Sequence, residues 1–123
     1  MQFQLLQVSD IIYIHESVLN PGEMAGLAKD SSIDGAIARV EFRVHYHLIA
    51  DVYELAAMYA VAISQAHAFR DGNKRTAYAV MEFVLLKHEI SIPFTREEVG
   101  DIIIKTAQGQ LDEMQLATWL RRQ

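Results

Sequence analysis

The sequence predicts an all-α fold, a compact bundle of about six helices with one short extended flap. Three observations carry that expectation. Every long segment with regular apolar spacing repeats with the helical period and none alternates like a strand. Ser/Thr/Asp residues followed three positions later by Glu mark helix starts. Only two prolines, Pro21 and Pro93, punctuate 123 residues, of which 51% are hydrophobic, enough for one core and one domain spanning 1–123.

From the amino terminus, Phe3 to Val8 is too short to classify, and Ser9 and Asp10 are suited to cap a helix carrying Ile11, Ile12 and Ile14 that ends near Leu19. Asn20, Pro21 and Gly22 form a turn, and the aperiodic stretch to Asp30 reads as a loop. From Ser32, the spacing of Ile33, Ile37, Val40 and Val44 predicts a second helix, its other face charged by Arg39, Glu41 and Arg43. His45 to Ile49 loses the helical punctuation and reads as the flap. His45 and His47 would share a face there, but without a third ligand they read as ordinary loop histidines.

Asp51 with Glu54 forms a capping box, and Val52, Leu55, Ala56, Tyr59 and Ile63 trace the buried stripe of a third helix running to about His67. From Ala77 to Leu86 only Glu82 is charged, so the next helix is apolar nearly all round and is expected in the middle of the molecule. Thr95 and Glu98 open a fifth helix through Val99, Ile102 and Ile103, stopped by Gln108 and Gly109. Met114, Leu116, Trp119 and Leu120 supply the inner face of a last helix, which ends favourably on Arg121 and Arg122.

Composition narrows the function. Cysteine is absent, so there is no disulfide framework, thiolate metal site or cysteine nucleophile. The amino terminus lacks the pattern of a signal peptide, and no apolar run approaches the roughly 20 residues of a membrane span, so a cytoplasmic protein without a membrane partner is expected. A net charge of −5, from 11 Lys and Arg against 16 Asp and Glu, argues against nucleic acid as a general partner. Any anion site must be local.

One stretch concentrates chemistry: His67 to Arg75, HAFRDGNKR. Gly72 and Asn73 precede an apolar helical run, where a turn and a cap are ordinary, yet such a turn also aims free N–H groups at one point with the positive end of the helix dipole behind them. Lys74 and Arg75 sit in the first helical turn, where that dipole disfavours cations; a bound phosphate would explain them. Asp71 either caps the helix or offers a hard oxygen to Mg²⁺. His67 either terminates the third helix or, with the ordinary histidine pKa near 6.5, takes a proton from a hydroxyl. Phe69 reads as a core anchor that steadies the loop. Together these residues fit attack of a hydroxyl on a phosphorus held by N–H groups, a metal and two cations.

HAFRDGNKR resembles the signature loop of the Fic/Doc family, and specifically its Doc branch, the toxins of toxin–antitoxin modules. The Fic form reads HPFxDGNGR with a further arginine three residues later; this chain matches at His67, Phe69, Asp71, Gly72, Asn73 and Arg75. GAIARV, Gly35 to Val40, is also reminiscent of Doc-like chains. The resemblance implies a Fic/Doc domain in which His67 is the general base, Asp71 the Mg²⁺ ligand, Gly72, Asn73 and Lys74 the ATP-phosphate cradle, and Lys74 and Arg75 the catalytic cations. It assigns the flap, His45, Tyr46, His47 and Leu48 onward, to docking a target's main chain as an added strand.

Departures bear on the reaction. Ala68 replaces the usual proline, Lys74 stands where adenylyl-transferring Fic enzymes have glycine, and Tyr78 where they have their second arginine. The resemblance therefore implies a kinase-like toxin that moves the γ-phosphate of ATP to a hydroxyl of a translation protein such as elongation factor Tu. The alternatives are a Fic-type adenylyltransferase and a non-catalytic partner-binding relic. The inhibitory Ser/Thr-x-x-x-Glu-Gly/Asn pattern of self-restrained Fic proteins is absent from the sequence, which leaves restraint to a separate cognate antitoxin.

Overall fold

The computed structural model describes residues 2–123. Six helices follow one another: α1 (Val8–Val18), α2 (Ile33–His45), α3 (Val52–Ala66), α4 (Asn73–Lys87), α5 (Arg96–Ala107) and α6 (Glu113–Arg121). Among the described residues there is no strand, only an isolated antiparallel bridge between Leu27 and Phe69. No helix there is long and apolar enough to cross a membrane.

The axis of the molecule is α3. Twelve of its residues are buried, and α2, α4, α5 and α6 pack around it while α1 covers α4. Five alanines explain how one helix accepts so many neighbours: they favour helix and let other backbones come close. The expectation that the apolar α4 would be central is thus corrected. Its Ala77, Val80, Met81, Val84 and Leu85 are buried, but Phe83 and Leu86 on its other side are exposed. Lack of charge overstated its burial.

Local capping rules set most helix starts. Asp51 accepts from the Glu54 N–H (2.9 Å), and Glu54 reaches back to the Ala50 N–H (3.0 Å), one residue beyond a reciprocal box. Thr95 accepts from the Glu98 N–H, and Asp112 and Gln115 satisfy each other's N–H groups. In α1 the start lies earlier than Ser9: Asp10 works from the third helical position and accepts from the Gln7 N–H (2.8 Å). In α6, Leu116 and Leu120 are buried and Trp119 stacks on Phe94, whereas Met114, expected inside, is 54% exposed. Met114 occupies the first turn, before the helix reaches the core.

The flap reading is corrected most. His45 is the last residue of α2, Tyr46 closes it with an N–H to Phe42 carbonyl bond, and His47 adopts a left-handed conformation (φ 56°) that lets the Leu48 N–H reach the Arg43 carbonyl (2.8 Å). These are the bonds of a helix end, so His45 and His47 do not share a strand face. The segment also leads straight into the Asp51 cap of α3, whose other end carries His67; 15 residues of helix separate the two by roughly 22 Å.

Candidate active site

The corner where α3 ends and α4 begins is built by backbone constraints that the sequence makes necessary. His67 is the residue at the end of α3 and lies in the left-handed region (φ 49°, ψ 42°), exposed to solvent. Ser32, at the start of α2, donates its hydroxyl to the Ala66 carbonyl (2.8 Å) and so steadies the turn just before it. Ala68 and Phe69 then dive into the core, 1% and 2% exposed. Phe69 is the anchor its type predicts.

The loop is clasped from inside. Asn73 accepts from the Phe69 N–H (3.0 Å) and donates from Nδ2 to the Phe69 carbonyl (2.9 Å), so its side chain is committed to the loop. Gly72, at φ 78°, immediately precedes α4. That left-handed backbone is what calls for glycine; a Cβ there would stand 3.3 Å from Arg75 Nη2, the movable end of a flexible side chain. No side chain caps α4, which leaves its first N–H groups at the mouth of the corner. Asp71 does not cap the helix either: its Oδ2 accepts from the Met24 N–H (2.8 Å).

A second segment lies over this loop. Residues 23–28 bridge to it antiparallel, through the Ala28 N–H to the Ala68 carbonyl (2.8 Å) and the Arg70 N–H to the Gly26 carbonyl (3.4 Å). Glu23 in this segment forms an ion pair with Arg75. The Arg75 guanidinium and the Asn20 N–H beside it hold the Glu23 carboxyl below its ordinary value. Lys74 is exposed. Next to these cations a cleft of about 630 Å³ opens between the end of α1, the start of α4 and α5, with Asn20, Lys74, Arg75, Tyr78 and Glu82 on its wall. That size suits a small organic ligand, for which pockets run about 300–1,000 Å³.

The structure thus brings His67, Asp71, Gly72, Asn73, Lys74 and Arg75 to one corner and leaves His45, Tyr46, His47 and Leu48 at the opposite end of α3. Three participants were not singled out in the sequence: Glu23 on Arg75, Met24 on Asp71, and His15 of α1, which bonds to the Asp71 carbonyl (2.7 Å). Only His15 left a sequence signal, a polar residue four positions after Ile11 on an apolar face.

The sequence profile described as Fic/DOC family matches residues 5–85, which include the whole of this corner. The chain belongs to the Fic/Doc family. It is also 31% identical over 114 residues to a protein of Escherichia phage P1 described as "Protein kinase doc", covering 92% of this chain and 90% of the relative. For a Fic/Doc chain the corner passes a test of fit to a nucleotide. A carboxylate already rests on Arg75, a glycine supplies the conformation an N–H cradle needs, and Asp71 has a second carboxylate oxygen to offer. Among the described residues no three His, Asp or Glu converge on a point.

Proposed function

We propose that this chain is a toxin that transfers the γ-phosphate of ATP to a Ser or Thr hydroxyl of a translation protein, elongation factor Tu being the first candidate, and so halts translation. The observation that carries the reading is the uncapped start of α4, with Gly72 before it, Lys74 and Arg75 in its first turn, and exposed His67 five residues upstream of Gly72. The likeness to a relative described as a protein kinase supports the direction of transfer.

The residues divide the work. The N–H groups of Gly72, Asn73 and Lys74 cradle phosphate oxygens with the helix dipole behind them. Arg75 exchanges its Glu23 carboxylate for a phosphate, and Lys74 adds a point charge where the leaving oxygens gather negative charge. Asp71 would hold Mg²⁺, which when bound would neutralise phosphate charge. His67 takes the proton from the target hydroxyl as its oxygen bonds to the γ-phosphorus and the bond to ADP breaks; general-base catalysis of this kind contributes about 10²–10⁴-fold. With the His45–Leu48 stretch removed from the site, residues 23–28 are the segment left to dock a target's main chain. A cognate antitoxin restrains the toxin in the cytoplasm.

Incubation of the chain with Mg-ATP and elongation factor Tu, followed by intact-mass analysis, tests the reading. A phosphate-sized gain that requires His67 supports it; an AMP-sized gain, or none, counts against it.

A further inference from the structure

His15 has no role in the chemistry so far, and its surroundings are hard to explain by folding alone. It lies on the inner face of α1 with no exposed surface, and its Nδ1 is buried without a hydrogen-bond partner among the described residues. An unsatisfied buried nitrogen opposes folding; an apolar ring at this position would avoid that cost while leaving the Asp71 carbonyl without its donor.

What His15 does instead is grip the signature loop at two points. Its ring stacks on Phe69 (centroids 3.8 Å apart, planes within 6°). Its Nε2 lies 2.7 Å from the Asp71 carbonyl oxygen and, since a carbonyl only accepts, Nε2–H is the donor.

The carbonyl bond has a geometric consequence. In a trans peptide the C=O and the following N–H point in opposite directions. Holding the Asp71 carbonyl toward α1 therefore turns the Gly72 N–H away from α1, to the open side of the loop. Met24 holds the Asp71 carboxylate and Thr76 holds the Gly72 carbonyl, but among the described residues only His15 bonds the Asp71 carbonyl itself, and Gly72 is free to adopt the torsions that a flipped peptide plane would require. The His15 bond therefore favours the orientation in which the Gly72 N–H points away from α1.

We propose that His15 is a positioning residue for phosphoryl transfer: by holding the Asp71–Gly72 peptide it presents the Gly72 N–H to a phosphate oxygen and fixes the backbone from which the Asp71 carboxylate extends. The inference rests on the proposed phosphotransferase reading for its catalytic half. Its structural half stands independently.

The test separates the bond from the ring. His15→Phe keeps the stacking and removes both the donor and the unsatisfied nitrogen, whereas His15→Gln keeps a donor at similar reach and loses the ring. The first readout is the Gly72 amide in the ¹⁵N-labelled, ligand-free chain; the second is kcat and KM for Mg-ATP on elongation factor Tu, beside the melting temperature. The proposal expects His15→Phe to melt close to the natural chain, since relief of Nδ1 offsets loss of the carbonyl's donor, to shift or broaden the Gly72 amide, and to lose about 10- to 100-fold in kcat, the scale of a small misplacement of reacting groups. His15→Gln recovers most of that loss although it melts lower, which a purely structural role would not produce.

An unchanged Gly72 amide in a folded His15→Phe chain overturns the proposal, as does full activity. If the natural chain transfers nothing while the Gly72 amide still responds, the positioning role stands and the phosphotransferase reading falls. Should His15→Phe fail to fold, His15→Met against His15→Gln gives the same contrast between a side chain without the donor and one with it.

Discussion

Replacing His67 by glycine is expected to make the protein more stable and inactive at once. The backbone at His67 is left-handed, with φ 49° and ψ 42°. For a residue with a Cβ that conformation costs about 1–2 kcal/mol, and glycine avoids it. Against this, glycine enlarges the freedom of the unfolded chain by about 0.4–1 kcal/mol. The difference leaves a gain of about 0.5–1 kcal/mol. With an unfolding entropy of about 2.1 cal/mol/K per residue, the 123 residues give about 0.26 kcal/mol/K, so the melting temperature rises by about 2–4 °C. His67→Ala keeps the left-handed strain and melts within about 0.5 kcal/mol of the natural chain, the usual range for an exposed substitution. Both variants lose about 100-fold or more in transfer if His67 is the base. Thermal melts followed by circular dichroism, with the transfer assay on the same samples, check both halves. A His67→Gly chain that melts lower refutes the strain argument, and one that retains transfer within tenfold refutes the role of the base.

Removing Glu23's charge (Glu23→Gln) is expected to free Arg75 for phosphate and lower KM for Mg-ATP by about two- to fivefold, the modest scale of an exposed ion pair, with kcat little changed; steady-state kinetics reads this directly. Arg121 binds both Asp51 (2.9 Å) and the buried Glu54 (2.7 Å), so Arg121→Ala leaves a buried carboxylate without its partner and costs about 1–3 kcal/mol by denaturant unfolding. Burial pushes the Asp51 carboxyl up, but the Arg121 guanidinium and the Glu54 N–H together outweigh it and hold the group below its ordinary value. A depressed carboxyl stabilises the fold above its unfolded pKa and ceases to do so as pH falls through the folded value, so acid unfolding of Arg121→Ala begins at higher pH than in the natural chain.

What the sequence revealed follows the range of the interactions involved. Caps at Asp51, Thr95 and the spacing of Ile33, Ile37 and Val40 depend on neighbours three or four residues away, and those helices lie where they were expected. The cluster from His67 to Arg75 was legible because one loop and one helical turn carry all of it. Glu23, Met24 and His15 reach that cluster from 52, 47 and 56 residues away, and no periodicity encodes which loop folds over which. The misplacement of the flap has the same origin. His45 to Leu48 lost the helical pattern because a helix was ending there. The segment that does lie against the signature loop, residues 23–28, has no strand pattern of its own and is held by main-chain bonds to Ala68 and Arg70, to which side-chain type contributes little. The centrality of α3 over α4 was hidden for another reason: lack of charge marked α4, whereas alanines, which permit close packing, mark α3.

The central claim is phosphoryl transfer with His67 as base, and intact-mass spectrometry of elongation factor Tu after incubation with the chain, Mg²⁺ and ATP tests it most directly. A gain of about 80 Da with the natural chain and none with His67→Ala is the predicted result. A gain of about 329 Da would show AMP transfer and contradict the proposed direction despite Lys74 and Tyr78, and a gain of about 80 Da that survives His67→Ala would contradict the assigned base.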